Sequence, residues 1–172
     1  MNPTLTARES SGFTLIELII VITIIAILAA VALPRLIDAQ RDARIAKSYA
    51  IFGSIRSATA LARSRCELDL ANVAPPVATT TCASATPKVN MDGIMVDIVN
   101  RYPAATAAGI EAAAAINLTA DGLTVGANCG AGGRCFDIQG GTVPDCRISY
   151  QEATRPDAII IAPVISVTTT GC

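Results

Sequence analysis

Residues 12–33 read GFTLIELIIVITIIAILAAVAL, an apolar run whose single charged side chain is Glu17. About 20 apolar residues are long enough to cross a bilayer as a helix. The run is too long for the apolar region of a secretory signal peptide, and no cleavage site follows it before Arg35. A buried core helix is the alternative, but no other segment is long enough to surround it. The sequence therefore predicts a membrane helix over residues 13–33.

The composition argues against catalysis and against nucleic-acid binding. The 172-residue chain contains no His, which excludes catalytic Ser-His-Asp and Cys-His arrangements and all His metal ligands. Its net charge of −1 lacks the basic excess of nucleic-acid binders. We therefore expect a protein that is not an enzyme, with no cofactor, no metal site and no nucleic-acid partner.

Two signals for orientation in the membrane conflict. The chain has six Cys and no Cys-x-x-Cys spacing, which favours disulfides in an oxidising compartment. The positive-inside rule would instead place the rear flank in the cytoplasm, because that flank is basic. Its basic residues are Arg35, Arg41, Arg44 and Lys47. We give the six cysteines more weight than the basic flank, so we expect the chain from Arg35 onward to lie outside the cytoplasm.

Glu17 is a lone carboxylate in an apolar helix, and it has two interpretations. It could simply mark the edge of the membrane, where a carboxylate costs less than at the centre. Alternatively, a cut between Gly12 and Phe13 would create an ammonium group at Phe13. Phe13 and Glu17 are four residues apart, so in a helix they lie on the same face. In an array of parallel helices, the carboxylate of one copy would then neutralise the ammonium of a neighbour.

The segment Gly12-Phe13-Thr14-Leu15-Ile16-Glu17, followed by the apolar run, resembles the prepilin signal of type IV pilins and type II secretion pseudopilins. The resemblance covers about residues 8–50. It implies that a prepilin peptidase cleaves after Gly12 and N-methylates Phe13. It also implies that Glu17 guides assembly into a helical fibre and that the leader is cytoplasmic, in agreement with the cysteine argument.

A second helical pattern follows the apolar run. From Arg35 to Arg65 only Gly53 breaks a sequence of helix formers, so one helix is expected from Phe13 to about Cys66. An amphipathic stripe is formed by Ile45, Tyr49, Phe52 and Ile55.

Pro34 interrupts this pattern, because proline cannot donate a backbone hydrogen bond within a helix. A simple break between two helices is one interpretation. Pilins carry a proline at the matching place, so the resemblance implies a kinked or meltable helix.

The expected fold class is α+β, a pilin-like arrangement in which a long kinked N-terminal helix packs on a small antiparallel sheet. We predict an ordered loop over Ala71–Pro87 and an Ala-rich helix that Pro103 opens and that ends near Ile116. The strand candidates are Ile94–Val99, Gly122–Val125, Arg134–Ile138, Arg147–Tyr150 and Ala158–Val167, the last with Pro163 at an edge or bulge. The expected segments are a leader (1–12), a transmembrane and fibre-core helix (13–33), an amphipathic stem (34–66) and a β-rich head (67–172).

Six cysteines allow 15 disulfide connectivities, so the sequence alone does not fix one. Pairing of sequence neighbours would give Cys66–Cys82, Cys129–Cys135 and Cys146–Cys172. Type IV pilins commonly close a C-terminal loop with a disulfide, and the pair Cys146–Cys172 resembles that closure.

Charge is divided along the chain. Residues 35–65 carry seven Lys or Arg and two Asp, whereas residues 66–172 carry five Lys or Arg and ten Asp or Glu. The two regions could be ordinary solvated faces, or basic stems could attract the acidic heads of adjacent subunits.

Two short segments, Asn100–Thr106 with Gly109-Ile110 and Cys146–Tyr150, are similar to mannose-sensitive haemagglutinin (MSHA) pilins. The resemblance implies a major pilin that polymerises into surface filaments for adhesion, with motility as a further option. Its partners would be copies of itself, the prepilin peptidase and the assembly machinery of the inner membrane. It would be a single-pass inner-membrane precursor with a periplasmic head, and later part of an extracellular pilus. The alternatives are a type II secretion pseudopilin and a membrane-anchored periplasmic binding protein or enzyme.

Overall fold

The computed structural model describes residues 12–71 and 82–172. A single helix, α1, extends over Leu15–Leu70 and continues through Pro34, so the chain does not break into two helices there. The helix ends four residues beyond the expected end near Cys66. Of the expected segments, residues 1–11 of the leader and residues 72–81 of the loop lie outside the described residues.

The chain divides into two compact units, Met1–Gln40 and Arg41–Cys172. In the first unit every described residue is solvent-exposed, including the whole apolar face of the helix. In the second unit, the rest of α1 packs against the strands.

The second unit contains two antiparallel sheets, which confirms the expected α+β class. A three-stranded sheet has the order β1-β2-β3, and a four-stranded sheet has the order β4-β5-β6-β7. The strands are β1 (Lys88–Met91), β2 (Ile94–Val99), β3 (Tyr102–Pro103), β4 (Leu123–Val125), β5 (Gly133–Ile138), β6 (Arg147–Gln151) and β7 (Val164–Thr168). A π-helical turn spans Ala107–Glu111, and a 3-10 turn spans Pro156–Ala158.

The structure corrects two of the predicted elements. Pro103 does not open a helix: it lies in β3 opposite Ile98, at a sheet edge, where its missing N–H costs no ladder bond. The helical turn begins only at Ala107. The predicted strand Ala158–Val167 is wrong in its first half, because β7 begins at Val164, immediately after Pro163.

The sequence also missed β1, the strand Lys88–Met91. Only Val89 in this strand is buried, and it pairs with Val96 of β2. One buried side chain in four residues leaves no alternation for a sequence pattern to show.

Apolar side chains of the second unit form two core clusters. The larger joins α1 to the four-stranded sheet through Ile55, Ile110, Phe136, Ile148 and Tyr150. The smaller joins α1 to the three-stranded sheet through Ala62, Cys66, Val89, Val96 and Ile98. Each sheet therefore has its own part of the helix to pack against.

The buried face of α1 differs from the expected stripe. Ile55 is fully buried, but Tyr49 is 55% exposed. Ser48 lies in the core in its place, and it is turned by about 100° from Tyr49 around the helix. The buried face is built mainly from small residues, which allow the helix backbone to approach the sheets. These residues are Ser48, Ala58, Thr59, Ala62 and Cys66.

Tyr150 connects the two sheets. It lies in β6 with no exposed surface, and its hydroxyl donates a 2.6 Å hydrogen bond to the carbonyl oxygen of Pro103 in β3. Burial raises the pKa of Tyr150, because the phenolate is poorly solvated in the core.

We predict a stability loss in alkali that depends on Tyr150. The folded state holds the phenol proton more tightly than the unfolded state, so the free energy of unfolding falls as pH rises above about 10, the unfolded pKa. Tyr150→Phe should lower stability at pH 8 by about 1–3 kcal/mol, since the Pro103 carbonyl loses its donor, and should flatten the alkaline loss. Denaturant titrations of the chain in detergent at pH 8 to 11 measure both effects.

The matched control is Tyr49→Phe at the exposed tyrosine of α1. It should keep the alkaline slope of the wild type. An equal slope in the Tyr150→Phe and wild-type proteins contradicts the prediction.

Candidate functional site

The side chains of Thr14 and Glu17, both in the prepilin-like segment, cap the N-terminus of α1. Thr14 precedes the helix, and its Oγ1 accepts a hydrogen bond from the backbone N–H of Glu17 at 3.3 Å. Glu17 Oε2 in turn accepts from the backbone N–H of Thr14 at 3.4 Å and from its hydroxyl at 3.1 Å. This reciprocal pattern is a capping box. Sequence reasoning missed it, although the Thr-x-x-Glu spacing is its usual signal.

The capping box gives Glu17 a local role and leaves it accessible. It satisfies backbone donors of the first helical turn, and the carboxylate is favoured at the positive end of the helix dipole. Only Oε2 takes part, and among the described residues Oε1 has no hydrogen-bond partner. Because Glu17 is solvent-exposed, Oε1 is free to meet a cation from another molecule.

The Gly12–Phe13 bond lies outside the helix. Gly12, Phe13 and Thr14 have no regular secondary structure, and Phe13 is 81% exposed. A Cβ added at Gly12 would meet no atom within 4 Å. A protease would therefore reach this peptide bond without unwinding α1.

The apolar run has no cover among the described residues. Its large aliphatic side chains from Leu15 to Leu33 are 44–76% exposed, and α1 is long and apolar enough to cross a membrane. Pro34 lies inside the continuous helix, so the carbonyl of Ala30 lacks its usual donor four residues later. A kink at Pro34 stays a prediction.

The six cysteines form the three sequence-local pairs. Their Cα atoms lie 5.3 Å apart in Cys66–Cys82, 5.8 Å in Cys129–Cys135 and 4.7 Å in Cys146–Cys172. The first pair joins α1 to the residues before β1, and the second lies at the start of β5. The third joins the residue before β6 to the residue at position 172.

The pair Cys146–Cys172 is held against α1. Arg44 Nε donates to the carbonyl oxygen of Cys172, and Ser48 Oγ lies 3.6 Å from its Sγ. Ser48 is fully buried, and its hydroxyl also donates to the Arg44 carbonyl at 2.9 Å. Arg44 therefore binds the head of its own subunit, although its charge also suggested contact with a neighbour.

We predict that Arg44→Ala destabilises the second unit, whereas Arg41→Ala does not. The first change removes a charged donor from the Cys172 carbonyl, a loss of about 1.5–3 kcal/mol. Arg41 is exposed and has no ion pair among the described residues, so its loss should change stability by less than about 0.5 kcal/mol. Thermal unfolding of both variants under non-reducing conditions checks this. Equal melting temperatures in the two variants contradict it.

Comparison with known proteins adds to this geometry. A family model, the prokaryotic N-terminal methylation motif, matches residues 8–33. The chain is 51% identical over 54 residues to the type IV narrow pilus major component PilA5 of Thermus thermophilus, covering 31% of this chain and 47% of the relative. It is 64% identical over 36 residues to the wide pilus major component PilA4 of the same organism, covering 21% and 28%.

The chain thus spans less than half the length of each of these relatives. No solved structure matches it. The matched motif contains Gly12, Phe13 and Glu17, which lie at or just before the N-terminus of α1. The chain therefore carries the N-terminal methylation motif and is similar, over short segments, to these two type IV pilus components.

Proposed function

We propose that this chain is a structural subunit, as a major pilin, of a type IV pilus, and that it polymerises into a surface filament. The observation that carries the proposal is the uncovered apolar helix of residues 15–33, headed by one accessible carboxylate. Such a surface is stable only in lipid or against other apolar surface. Lipid covers it in the precursor, and copies of the same helix cover it in the filament. Type IV pilins are structural proteins and not enzymes.

Processing is the first proposed step. A prepilin peptidase cleaves after Gly12, which frees the amino group of Phe13, and then methylates that group. The methylation motif at residues 8–33 and the exposed, non-helical Gly12–Phe13 bond support this step.

Assembly is the second proposed step, and it uses the ammonium group that processing creates. This ammonium is disfavoured at the positive end of its own helix. The Glu17 carboxylate of a neighbouring copy neutralises it, with Oε1 accepting from the ammonium while Oε2 keeps its capping bonds. An ion pair in an apolar medium fixes one register between helices, because any other register leaves a buried charge unpaired.

The membrane-anchored precursor fits the methylation motif and the apolar helix. We propose the finer topology as well, with the leader in the cytoplasm, one span over residues 13–33 and the disulfide-bonded head in the periplasm. The segments 1–12, 13–33, 34–66 and 67–172 then correspond to leader, fibre-core helix, stem and head. Assembly proteins of the inner membrane extract the processed subunit, and the resulting filament serves in adhesion. Membership of the MSHA-type group stays a prediction.

Electron microscopy of a deletion strain and its complemented parent tests the proposal. Long surface filaments that contain this chain, absent in the deletion strain, support it. Short periplasmic fibres with a loss of protein secretion would instead assign the chain to a type II secretion system. A head with sugar-binding or catalytic activity and no filament would also contradict a pilus subunit.

We predict that Glu17→Gln separates processing from assembly. The amide keeps an oxygen for the capping box but cannot neutralise a neighbouring ammonium. The variant should reach the membrane and be cleaved, while sheared filament falls at least about tenfold, the effect of about 1.4 kcal/mol. Immunoblots of membrane and sheared fractions measure this.

Mass spectrometry of the mature N-terminus provides the matching control. Wild-type and Glu17→Gln proteins should both begin at a methylated Phe13, whereas Gly12→Val should remain uncut. A wild-type chain that still begins at Met1 contradicts the processing step.

A further inference from the structure

A groove lies between α1 and the edge strand β7 on one side of the head. It encloses about 600 Å³. We name it the β7 groove, and its principal lining residues are Phe52, Arg56, Ala60, Arg63, Pro163 and Ile165. Strand β7 pairs only with β6, so the groove follows a sheet edge that no other described strand covers.

The β7 groove is lined by apolar side chains and by two arginines, Arg56 and Arg63. Arg56 is exposed and forms no ion pair among the described residues. Arg63 donates a 2.7 Å hydrogen bond to the Tyr102 hydroxyl and lies 5.3 Å from the centre of that ring. None of the residues that line the groove is acidic. The complementary surface is therefore a small apolar element that carries a carboxylate.

Ion pairs within the subunit do not change the charge division of the sequence, because most of them join two residues of the head itself. Four of the five basic residues beyond position 66 bind carboxylates of the same subunit. These pairs are Lys88–Asp97, Arg101–Glu67, Arg134–Glu111 and Arg147–Asp137. Three exposed carboxylates of the head have no ion pair among the described residues, namely Asp92, Asp145 and Asp157.

Asp92 lies in an exposed turn of the kind that could bind in such a groove. It lies with Gly93 in the two-residue turn between β1 and β2, and their φ values are 50° and 84°. The Asn90 side chain accepts a 2.9 Å hydrogen bond from the Gly93 N–H, which stiffens the turn. Ile94 beside it is 49% exposed, and a Cβ at Gly93 would meet no atom within 4 Å. The Asp92 turn is thus exposed, braced by one hydrogen bond, apolar at its flank and negatively charged.

The other two exposed carboxylates fit less well. Asp157 lies five residues before Ala162, which lines the groove itself, so its loop belongs to the wall and not to an occupant. Asp145 packs against the disulfide-closed segment, since its carbonyl oxygen accepts a 2.9 Å hydrogen bond from the Gly171 N–H and a Cβ at Gly171 would lie 2.5 Å from the Asp145 Cβ.

The groove and the Asp92 turn lie on opposite sides of α1. The turn borders a surface that includes Leu61 and Arg65, whereas the groove is lined by Arg56, Ala60 and Arg63. At about 100° per residue, the helix positions of the two surfaces are separated by roughly 160°. Two different surfaces on opposite sides form a head-to-tail contact, which repeats from copy to copy and generates an open helical polymer.

We propose that the β7 groove binds the Asp92 turn of a second copy of this chain. Asp92 pairs with Arg56, and Ile94 packs against Phe52 and Pro163. This contact rests on the proposed function, since it supplies the filament with a head-to-stem interface in addition to the helical core.

A charge exchange between the two surfaces tests this contact. Arg56→Glu and Asp92→Arg each place like charges opposite one another, so each should reduce sheared filament about tenfold at an unchanged membrane level of subunit. The double variant Arg56→Glu with Asp92→Arg restores the pair in reversed orientation and should return filament to within about twofold of the wild type. The matched controls Arg41→Glu and Asp145→Arg make the same charge changes at exposed residues outside both the groove and the Asp92 turn, and should keep wild-type yield.

Recovery in the double variant supports the groove contact, because a folding defect in either single variant would not be cured by the second change. A double variant no better than the single variants overturns it. A loss with Arg56→Glu but not with Asp92→Arg overturns it too, since the groove would then bind a different protein. A wild-type strain without filaments overturns the proposed function instead, so the two failures are distinguishable.

Discussion

The apolar surface of α1 over residues 15–33 has to be covered, and no described part of the subunit covers it. Each large aliphatic side chain gains about 1.5–3 kcal/mol when it leaves water, so this surface does not persist in solvent. Lipid and a bundle of identical helices bury this surface about equally well, because lipid tails are as apolar as leucine side chains. Hydrophobicity therefore keeps the subunit out of water but does not by itself choose between membrane and filament.

In the proposed assembly, polar contacts favour the filament over the membrane. Glu17 is the one charged residue of the apolar run, and the capping box with Thr14 holds its carboxylate at the helix end. A neighbouring ammonium at Phe13 would remove an unpaired charge from an apolar medium, which favours the assembled state. In the second unit, the buried Ser48 and the Arg44–Cys172 hydrogen bond fix the disulfide-closed segment against α1.

The sequence predicted those features that depend on composition over a long window. A helix through residues 15–33 needs only length and apolarity, and β2 over Ile94–Val99 was predicted with the bounds that the structure gives. Sequence-based prediction failed where tertiary packing overrides the hydrophobic pattern. Tyr49 looked like a core residue, but the helix buries Ser48, because close approach to the sheets requires small side chains. Pro103 looked like a helix start, but its position opposite Ile98 at a sheet edge tolerates proline.

The residues of the candidate site stay a prediction from the motif, and the motif did not predict their geometry. Gly12, Phe13 and Glu17 follow from a motif, whereas the hydrogen bonds of the capping box depend on where the helix begins. Arg44 shows the limit most clearly, since charge counting left open whether it is a solvated residue or a contact for a neighbour, and in the structure its side chain binds Cys172 of its own subunit. Charge pattern reports how many cations a segment has, but only coordinates report which of them are already bound.

Electron cryomicroscopy of purified filaments at side-chain resolution would show whether the apolar helix forms the filament core. We expect residues 13–33 of every copy to lie in that core without solvent contact, with each Glu17 beside the amino group of a neighbouring Phe13. A filament in which these helices remain at the surface, or a core built by a different chain, would contradict this expectation.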